Sequence, residues 1–84
     1  MFDPAEIERL ILAGLPCEHV RVTSDDGTHF HATVVSATFA GQSRVRQHKA
    51  VYDTLGALLG NEIPALQVAT YTPEGWQQQA HEHS

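Results

Sequence analysis

The sequence is poor in the residues on which several functional classes depend. Its single cysteine, Cys17, excludes an intramolecular disulfide framework. Five lysines and arginines stand against ten acidic residues, and the net charge of −5 opposes binding to nucleic acid over a broad surface, although a local basic patch is compatible with it. The sequence also has no phosphate-cradling glycine loop, no His-Glu-x-x-His, no Cys-x-x-Cys and no glycine-flanked serine nucleophile. We therefore expect a protein that is not an enzyme.

Long apolar runs are absent as well. No charged-then-apolar leader opens the sequence and no apolar run is long enough to span a bilayer, so we expect a cytoplasmic protein. The composition is globular, with 42% hydrophobic and 18% charged residues over 84 positions. That length suits one small domain, which we place at residues 1–80, followed by a disordered polar tail at residues 81–84.

The first half of the chain predicts a helix followed by a β-hairpin. An Asp-Pro pair at residues 3–4 suits a capped helix start, and Gly14 suits its end. Valines alternate with polar residues over 19–23, which indicates a half-buried strand. Asp-Gly at residues 26–27 predicts a hairpin turn, and residues 28–38 predict its second strand, with burial on both faces near the strand's end.

The stretch from Phe39 to Tyr52 joins this hairpin to the longest predicted helix. Gly41 marks the turn, because glycine accepts backbone angles that other residues resist. Ser43 is a good N-cap for a helix that runs from about residue 44 to residue 59. Five side chains share one face of this helix at helical spacing: Val45, His48, Tyr52, Leu55 and Leu59.

A third strand and a short last helix complete the predicted fold. Residues 63–71 indicate a strand with Pro64 near its start, and Thr72 with Pro73 suits the start of the last helix. The order helix-strand-strand-helix-strand-helix predicts a two-layer α+β fold with a three-stranded mixed sheet. Its first two strands are antiparallel, and the third is parallel to the second. We expect six side chains in the core: Phe30, Val34, Val45, Val51, Leu55 and Leu66.

Histidines are the candidate metal ligands. His29 and His31 lie two residues apart on one predicted strand, so both point to one face and can chelate a metal if a third ligand approaches. A solvated polar face is the alternative for this pair. His48 falls on the apolar face of the long helix, where it is either packed in the core or a ligand at the rim. His81 and His83 lie in the polar tail, where we expect no specific site.

Basic residues cluster at the start of the long helix. Arg44, Arg46 and Lys49 lie within its first two turns, where free N–H groups and the helix dipole also favour anions. Three interpretations remain open at this point: a solvated cationic face, a docking surface for an acidic partner, and a nucleic-acid contact.

Five short pieces of the sequence, taken together, resemble the BolA-like family, and most closely its short bacterial branch called IbaG. In chain order they are Asp26-Gly-Thr-His-Phe30, Phe39-Ala-Gly41, Arg46-Gln-His-Lys-Ala-Val-Tyr52, Glu62-Ile-Pro-Ala-Leu66 and Tyr71-Thr-Pro73. The resemblance extends from the first helix to Trp76. It implies a fold like that of a class II K-homology domain.

The resemblance also implies a function. Family members bind monothiol glutaredoxins, and the pair can hold a bridging [2Fe–2S] cluster with ligands from the glutaredoxin cysteine, glutathione and the BolA-like protein. The family is linked to iron homeostasis, stress response and cell morphology, and its founding branch to transcription regulation through DNA binding. We therefore expect an adaptor that docks a monothiol glutaredoxin, with no cofactor in the isolated chain. The alternative is a nucleic-acid-binding regulator that uses Arg44, Arg46 and Lys49.

Two positions depart from the family pattern. The usual cluster histidine of the family lies directly before the Ala-Leu of the fourth piece, where this chain has Pro64, which cannot ligate iron. A second family ligand comes from the loop between the first two strands, which His29 matches. Either His29 or His48 substitutes, or the protein docks its partner without a cluster. The K-homology glycine loop is also incomplete, since residues 41–44 contain one glycine where that motif has two.

Overall fold

The computed structural model describes residues 2–82, and it has the predicted α+β architecture. The sheet has the order β1-β2-β3, with β1 and β2 antiparallel and β2 and β3 parallel, as expected. Single 3₁₀ turns follow β2, at Ala37–Phe39, and α2, at Gly56–Leu58. The six main elements are α1 (Pro4–Gly14), β1 (His19–Thr23), β2 (His29–Val35), α2 (Arg44–Leu55), β3 (Ala65–Tyr71) and α3 (Pro73–Glu82).

Helix α1 begins and ends where the sequence indicates. The carboxylate of Asp3 accepts a hydrogen bond from the Ala5 N–H at 3.0 Å, and Pro4 occupies the first helical position. Gly14 ends the helix, but it also lets α1 approach α2 closely. A Cβ atom at this position would lie 2.9 Å from Cγ2 of Thr54, so the Thr54 side chain or one of the two helices would have to shift. The glycine is therefore needed for packing as well as for termination.

Strand β2 is shorter than predicted. Its residues alternate between buried Phe30 and Ala32 and exposed His29 and His31, and both faces are buried near its end, as expected. The strand ends at Val35 rather than at residue 38. The reason is the buried Ser36, whose hydroxyl accepts a hydrogen bond from the Thr38 N–H and turns the chain into the 3₁₀ turn.

The buried face of α2 matches the predicted one only in part. Val51 and Leu55 are its buried residues, whereas Val45 is 78% exposed, so the assignment of Val45 to the core is wrong. Val45 lies roughly 120° around the helix from Val51 at 3.6 residues per turn, too far to share its face. The helix also ends at Leu55, because Gly56 has a φ of +55°.

The other predicted core residues lie as expected or near it. Phe30, Val34, Val51 and Leu55 are buried, and Leu66 is half-buried and packs against the core. Buried residues that the prediction did not include come from α1 and from the segments around the sheet: Ile7, Ile11, Val22, Ala32, Phe39 and Ile63.

The second face of the sheet is covered at one end by α3. Its Trp76 ring stacks on His19, with 5.2 Å between ring centroids, and lies 5.3 Å from Tyr71. Helix α3 is capped by the Thr72 hydroxyl, which accepts from the Gly75 N–H. The helix continues to Glu82, so residues 81–82 of the predicted tail lie in it, and residues 83–84 lie outside the described part of the chain. None of the described helices is long and apolar enough to cross a membrane.

Candidate partner-docking site

A groove of about 480 Å³ lies at one end of the sheet. The parallel register pairs His29 of β2 with Ala65 of β3, which places the β1–β2 hairpin loop beside the segment that enters β3. Two sequence positions that the resemblance singled out, His29 and Pro64, are therefore neighbours in space. The groove is lined by Phe2, Gly27, Thr28, Asn61, Glu62 and Pro64.

Asp26 organises the hairpin loop. Its carboxylate accepts hydrogen bonds from the backbone N–H groups of Thr28, at 2.9 Å, and His29, at 2.8 Å. The Ser24 hydroxyl accepts from the Gly27 N–H at 2.9 Å, and Gly27 has a φ of +78°, which suits glycine. The two backbone bonds from His29 and Thr28 hold the pKa of Asp26 well below its ordinary value. The loop that flanks the groove is therefore fixed by a carboxylate that stays ionised.

His29 stands at the rim of this loop with its ring oriented. Its Nδ1 lies 2.7 Å from Oδ2 of Asp26, and its side chain is 71% exposed. A carboxylate partner on one ring nitrogen orients the imidazole and favours the tautomer whose other nitrogen, Nε2, carries the lone pair. This is the arrangement typical of a histidine that binds a metal. The spacing of Asp26 and His29, three residues apart in a turn, is the signal that sequence reasoning missed.

Beside the groove, His29 is the candidate ligand whose ring is oriented by a hydrogen bond. Pro64 is exposed at the edge of the groove and offers no donor atom. His31 lies on the same face as His29, but within residues 2–82 no three histidine, cysteine, aspartate or glutamate side chains form a metal-binding group. Burial and the neighbouring Glu18 raise the pKa of the Cys17 thiol, which disfavours the thiolate that a metal requires. A cluster held here would take its other ligands from a partner.

His48 lies elsewhere. It is half-buried in a second groove of about 160 Å³ between α2 and β3, together with Arg44 and residues 68–71. His29 is in register with Ala65, and the strand rises about 3.3 Å per residue, so His48 lies roughly 10 Å or more further along the sheet. The two histidines named as candidate metal ligands are therefore not brought together.

One of the three basic residues at the start of α2 is already paired within the helix. Arg44, Arg46 and Lys49 are all exposed, but Nζ of Lys49 lies 2.8 Å from Oδ2 of Asp53, one helical turn on. The ion pairs of the described residues include neither Arg44 nor Arg46. Within this cluster, Arg44 and Arg46 are therefore the cations available to an anionic partner. Arg44 also lines the groove that contains His48.

Comparison with known proteins agrees with this architecture. The model of the family described as BolA-like protein matches residues 14–75, which is most of the chain. The protein of Vibrio cholerae named DNA-binding transcriptional regulator BolA is 49% identical over 51 residues, or 61% of this chain and 48% of that protein. The SufE-like protein 1 of Arabidopsis thaliana is 36% identical over 75 residues, or 84% of this chain and 20% of that protein.

A solved structure gives the same result for the fold. The structure of a BolA protein homologue from Coxiella burnetii superposes with a TM-score of 0.76 and 38% identity, and the match covers 92% of this chain and 99% of that one. The chain spans about half the length, or less, of the curated relatives named above. The family match over residues 14–75, together with this shared fold, shows that the chain belongs to the BolA-like family.

Proposed function

We propose that the protein is a non-enzymatic adaptor that docks a monothiol glutaredoxin on the groove between the β1–β2 hairpin loop and residues 62–64. The observation that carries the proposal is the oriented imidazole of His29 on the hairpin loop that flanks that groove, held by Asp26 at 2.7 Å. The hydrogen-bonded loop lies beside a groove lined by both apolar and polar residues. A folded partner can bind such a surface without paying to order the loop. Family membership supports the choice of partner.

The proposal includes a shared [2Fe–2S] cluster in which this chain supplies one ligand, Nε2 of His29. The glutaredoxin cysteine and glutathione supply ligands from the partner's side, as the family resemblance implies. Imidazole is a suitable ligand for iron. Asp26 holds the ring in place by accepting from Nδ1, and Pro64 closes the groove without contributing a donor. Docking depends on the surface, so it persists when the cluster is absent.

The test mixes the protein with a monothiol glutaredoxin that carries a glutathione-ligated [2Fe–2S] cluster and follows the visible absorption and circular dichroism of the cluster. We expect His29→Ala to weaken the spectral change and His31→Ala, its matched control on the same strand face, to leave the change intact. Pro64→His should strengthen cluster retention by adding an imidazole. This substitution should preserve the fold, because Pro64 precedes β3 and contributes no ladder bond.

Docking is measured separately with the cluster-free glutaredoxin, by calorimetry. His29→Ala should still bind it, whereas a substitution that fills the groove from the exposed position 62, Glu62→Trp, should not. If the native protein responds as strongly as Pro64→His and His29→Ala changes nothing, the ligand assignment is wrong and His48 is the next candidate. If cluster-free glutaredoxin does not bind at all, the docking proposal itself fails.

A second candidate function is nucleic-acid binding. The observation in its favour is the pair of exposed arginines at the start of α2, Arg44 and Arg46, in a chain related to proteins named DNA-binding transcriptional regulators. With a net charge of −5 we expect salt-sensitive binding at most. Reversing both arginines to glutamate should abolish binding to duplex DNA in a titration at low salt. Sequence-specific binding that survives physiological salt would place this function ahead of the glutaredoxin proposal.

A further inference from the structure

The two edge strands of the sheet, β1 and β3, differ in how their outward-facing backbone groups are protected. At the β1 edge, the Glu8 carboxylate on α1 accepts a hydrogen bond from the Val22 N–H at 2.9 Å, so an outward-facing group already has a partner. The opposite edge is β3, whose seven residues include no charged side chain and no proline. Charged side chains and prolines are common protections of an edge strand against the addition of another strand. Strand β3 lacks both.

The backbone groups that β3 points outward can be identified. The Ser36 N–H donates to the Tyr71 carbonyl at 3.0 Å, so that carbonyl points towards β2. Because backbone groups alternate in direction along a strand, those of Val68 and Thr70 point away from the sheet. The Tyr52 hydroxyl reaches the outward carbonyl of Leu66 at 3.4 Å, which agrees with this direction. Within residues 2–82, the outward backbone groups of Val68 and Thr70 have no hydrogen-bond partner.

The groove that contains His48 runs beside this edge. Arg44 and His48 lie next to residues 68–71, whereas Tyr52 reaches Leu66, so α2 runs antiparallel to β3. Arg44, the first residue of α2, therefore stands at the C-terminal end of β3. No acidic side chain lines this groove, and the N-terminal end of a helix is its positive end. An anionic group suits that end of the groove.

We propose that an extended peptide from a partner protein adds to β3 as a fourth strand, parallel to it, with its C-terminal carboxylate at Arg44. Backbone pairing with Val68 and Thr70 supplies affinity, and the carboxylate sets the direction. An antiparallel peptide would bring its positively charged N-terminus to Arg44 instead. A single lining arginine matches one carboxylate better than a series of phosphates. The site shares no lining residue with the hairpin groove, so it does not rest on the glutaredoxin proposal.

The test titrates the ¹⁵N-labelled full chain with the acetylated hexapeptide Ser-Val-Thr-Val-Thr-Val carrying a free C-terminal carboxylate. We expect amide shifts and slowed hydrogen exchange at Val68 and Thr70, and none at Val22 on the other edge. The same peptide with an amidated C-terminus should bind about tenfold more weakly, because it loses a charge-assisted contact. A nitroxide at the peptide's N-terminus should broaden the amide of Leu66 more than that of Tyr71, as a parallel strand requires.

Two variants and one control separate the carboxylate contact from the backbone pairing. Arg44→Glu should weaken binding of the free-carboxylate peptide at least tenfold, and Arg21→Glu, the same charge change on exposed β1, should leave it unchanged. Val68→Pro removes an outward N–H and should abolish binding, because an edge strand tolerates proline where the N–H faces solvent. If that variant fails to fold, the amidated peptide and Arg44→Glu decide the question.

Four results would overturn the proposal. The first is that the amidated peptide binds as tightly as the free-carboxylate peptide, and the second is that the peptide lies antiparallel to β3. The third is that single-stranded oligothymidylate, but not the peptide, protects the Val68 amide from exchange. The fourth is that the Val68 amide is protected in a dimer of this chain detected by sedimentation. The first two remove the role of the carboxylate at Arg44, and the last two assign the edge to a different occupant.

Discussion

At the scale of single residues, Ser36 joins three parts of the chain. It is the one buried polar residue among those described, with no exposed surface. Its hydroxyl donates to the Pro16 carbonyl at 2.5 Å and accepts from the Thr38 N–H, while its backbone N–H donates to Tyr71 of β3. The approach to β1, the end of β2 and the end of β3 therefore meet at one residue.

Removing that hydroxyl should be costly. Ser36→Ala leaves the Pro16 carbonyl without its donor, and we expect a loss of about 1–3 kcal/mol in the free energy of unfolding. Ser43→Ala is the comparison, since it removes only the exposed N-cap of α2, and a cap is worth about 1 kcal/mol. Urea denaturation of both variants is the measurement. A Ser36→Ala protein as stable as the native one would show that the hydroxyl contributes nothing net.

Asp26 predicts a pH dependence for the hairpin loop. Its carboxyl pKa is lowered in the folded protein, so the stability it contributes is present above the ordinary carboxyl pKa and is lost as the pH falls towards the lowered value. The native protein should therefore lose stability relative to Asp26→Asn as the pH falls from about 4 into the acid range. Urea titrations of the two proteins at several pH values test this, and a difference independent of pH would contradict it.

At the scale of elements, the sequence predicts where a helix begins better than it predicts which face of the helix is buried. The caps Asp3, Ser43 and Thr72 are local signals, and each lies where it was predicted. The predicted face of α2 is right for Leu55 and wrong for Val45, because a stripe with few strong hydrophobic residues fits more than one rotation of the helix. What selects the observed rotation is packing against α1 and the sheet, which involves residues far apart in sequence.

The α2 face makes a direct comparison possible. Leu55 is 4% exposed, so Leu55→Ala should lower the free energy of unfolding by about 2–5 kcal/mol. Val45→Ala, at an exposed position of the same helix, should change it by less than about 0.5 kcal/mol. Thermal and urea unfolding of both variants measure this. Similar costs for the two variants would contradict the rotation of α2 described above.

At the scale of the whole molecule, topology decides which distant residues share a site. The prediction of a parallel β2–β3 pair already implies that the hairpin loop and the entry to β3 meet at one end of the sheet. It cannot indicate that Phe2, near the start of the chain, lines the same groove, because that contact depends on how α1 packs. The predicted topology also cannot show how far His29 and His48 lie from each other along the sheet, because that distance depends on the strand register. The topology therefore predicts that the hairpin loop and the entry to β3 are neighbours, but not which other residues line the groove between them.

The stack of Trp76 on His19 has an optical consequence. The chain has one tryptophan, which lies on the sheet face opposite the main core, so its emission reports the attachment of α3 alone. Helix α3 can detach before the core opens, as locally weaker units of proteins do. In urea, we expect the fluorescence transition to precede the loss of far-ultraviolet circular dichroism. His19→Ala should shift the emission to the red at zero urea while the circular dichroism spectrum stays native. Coincident transitions would mean that α3 and the core unfold as one unit.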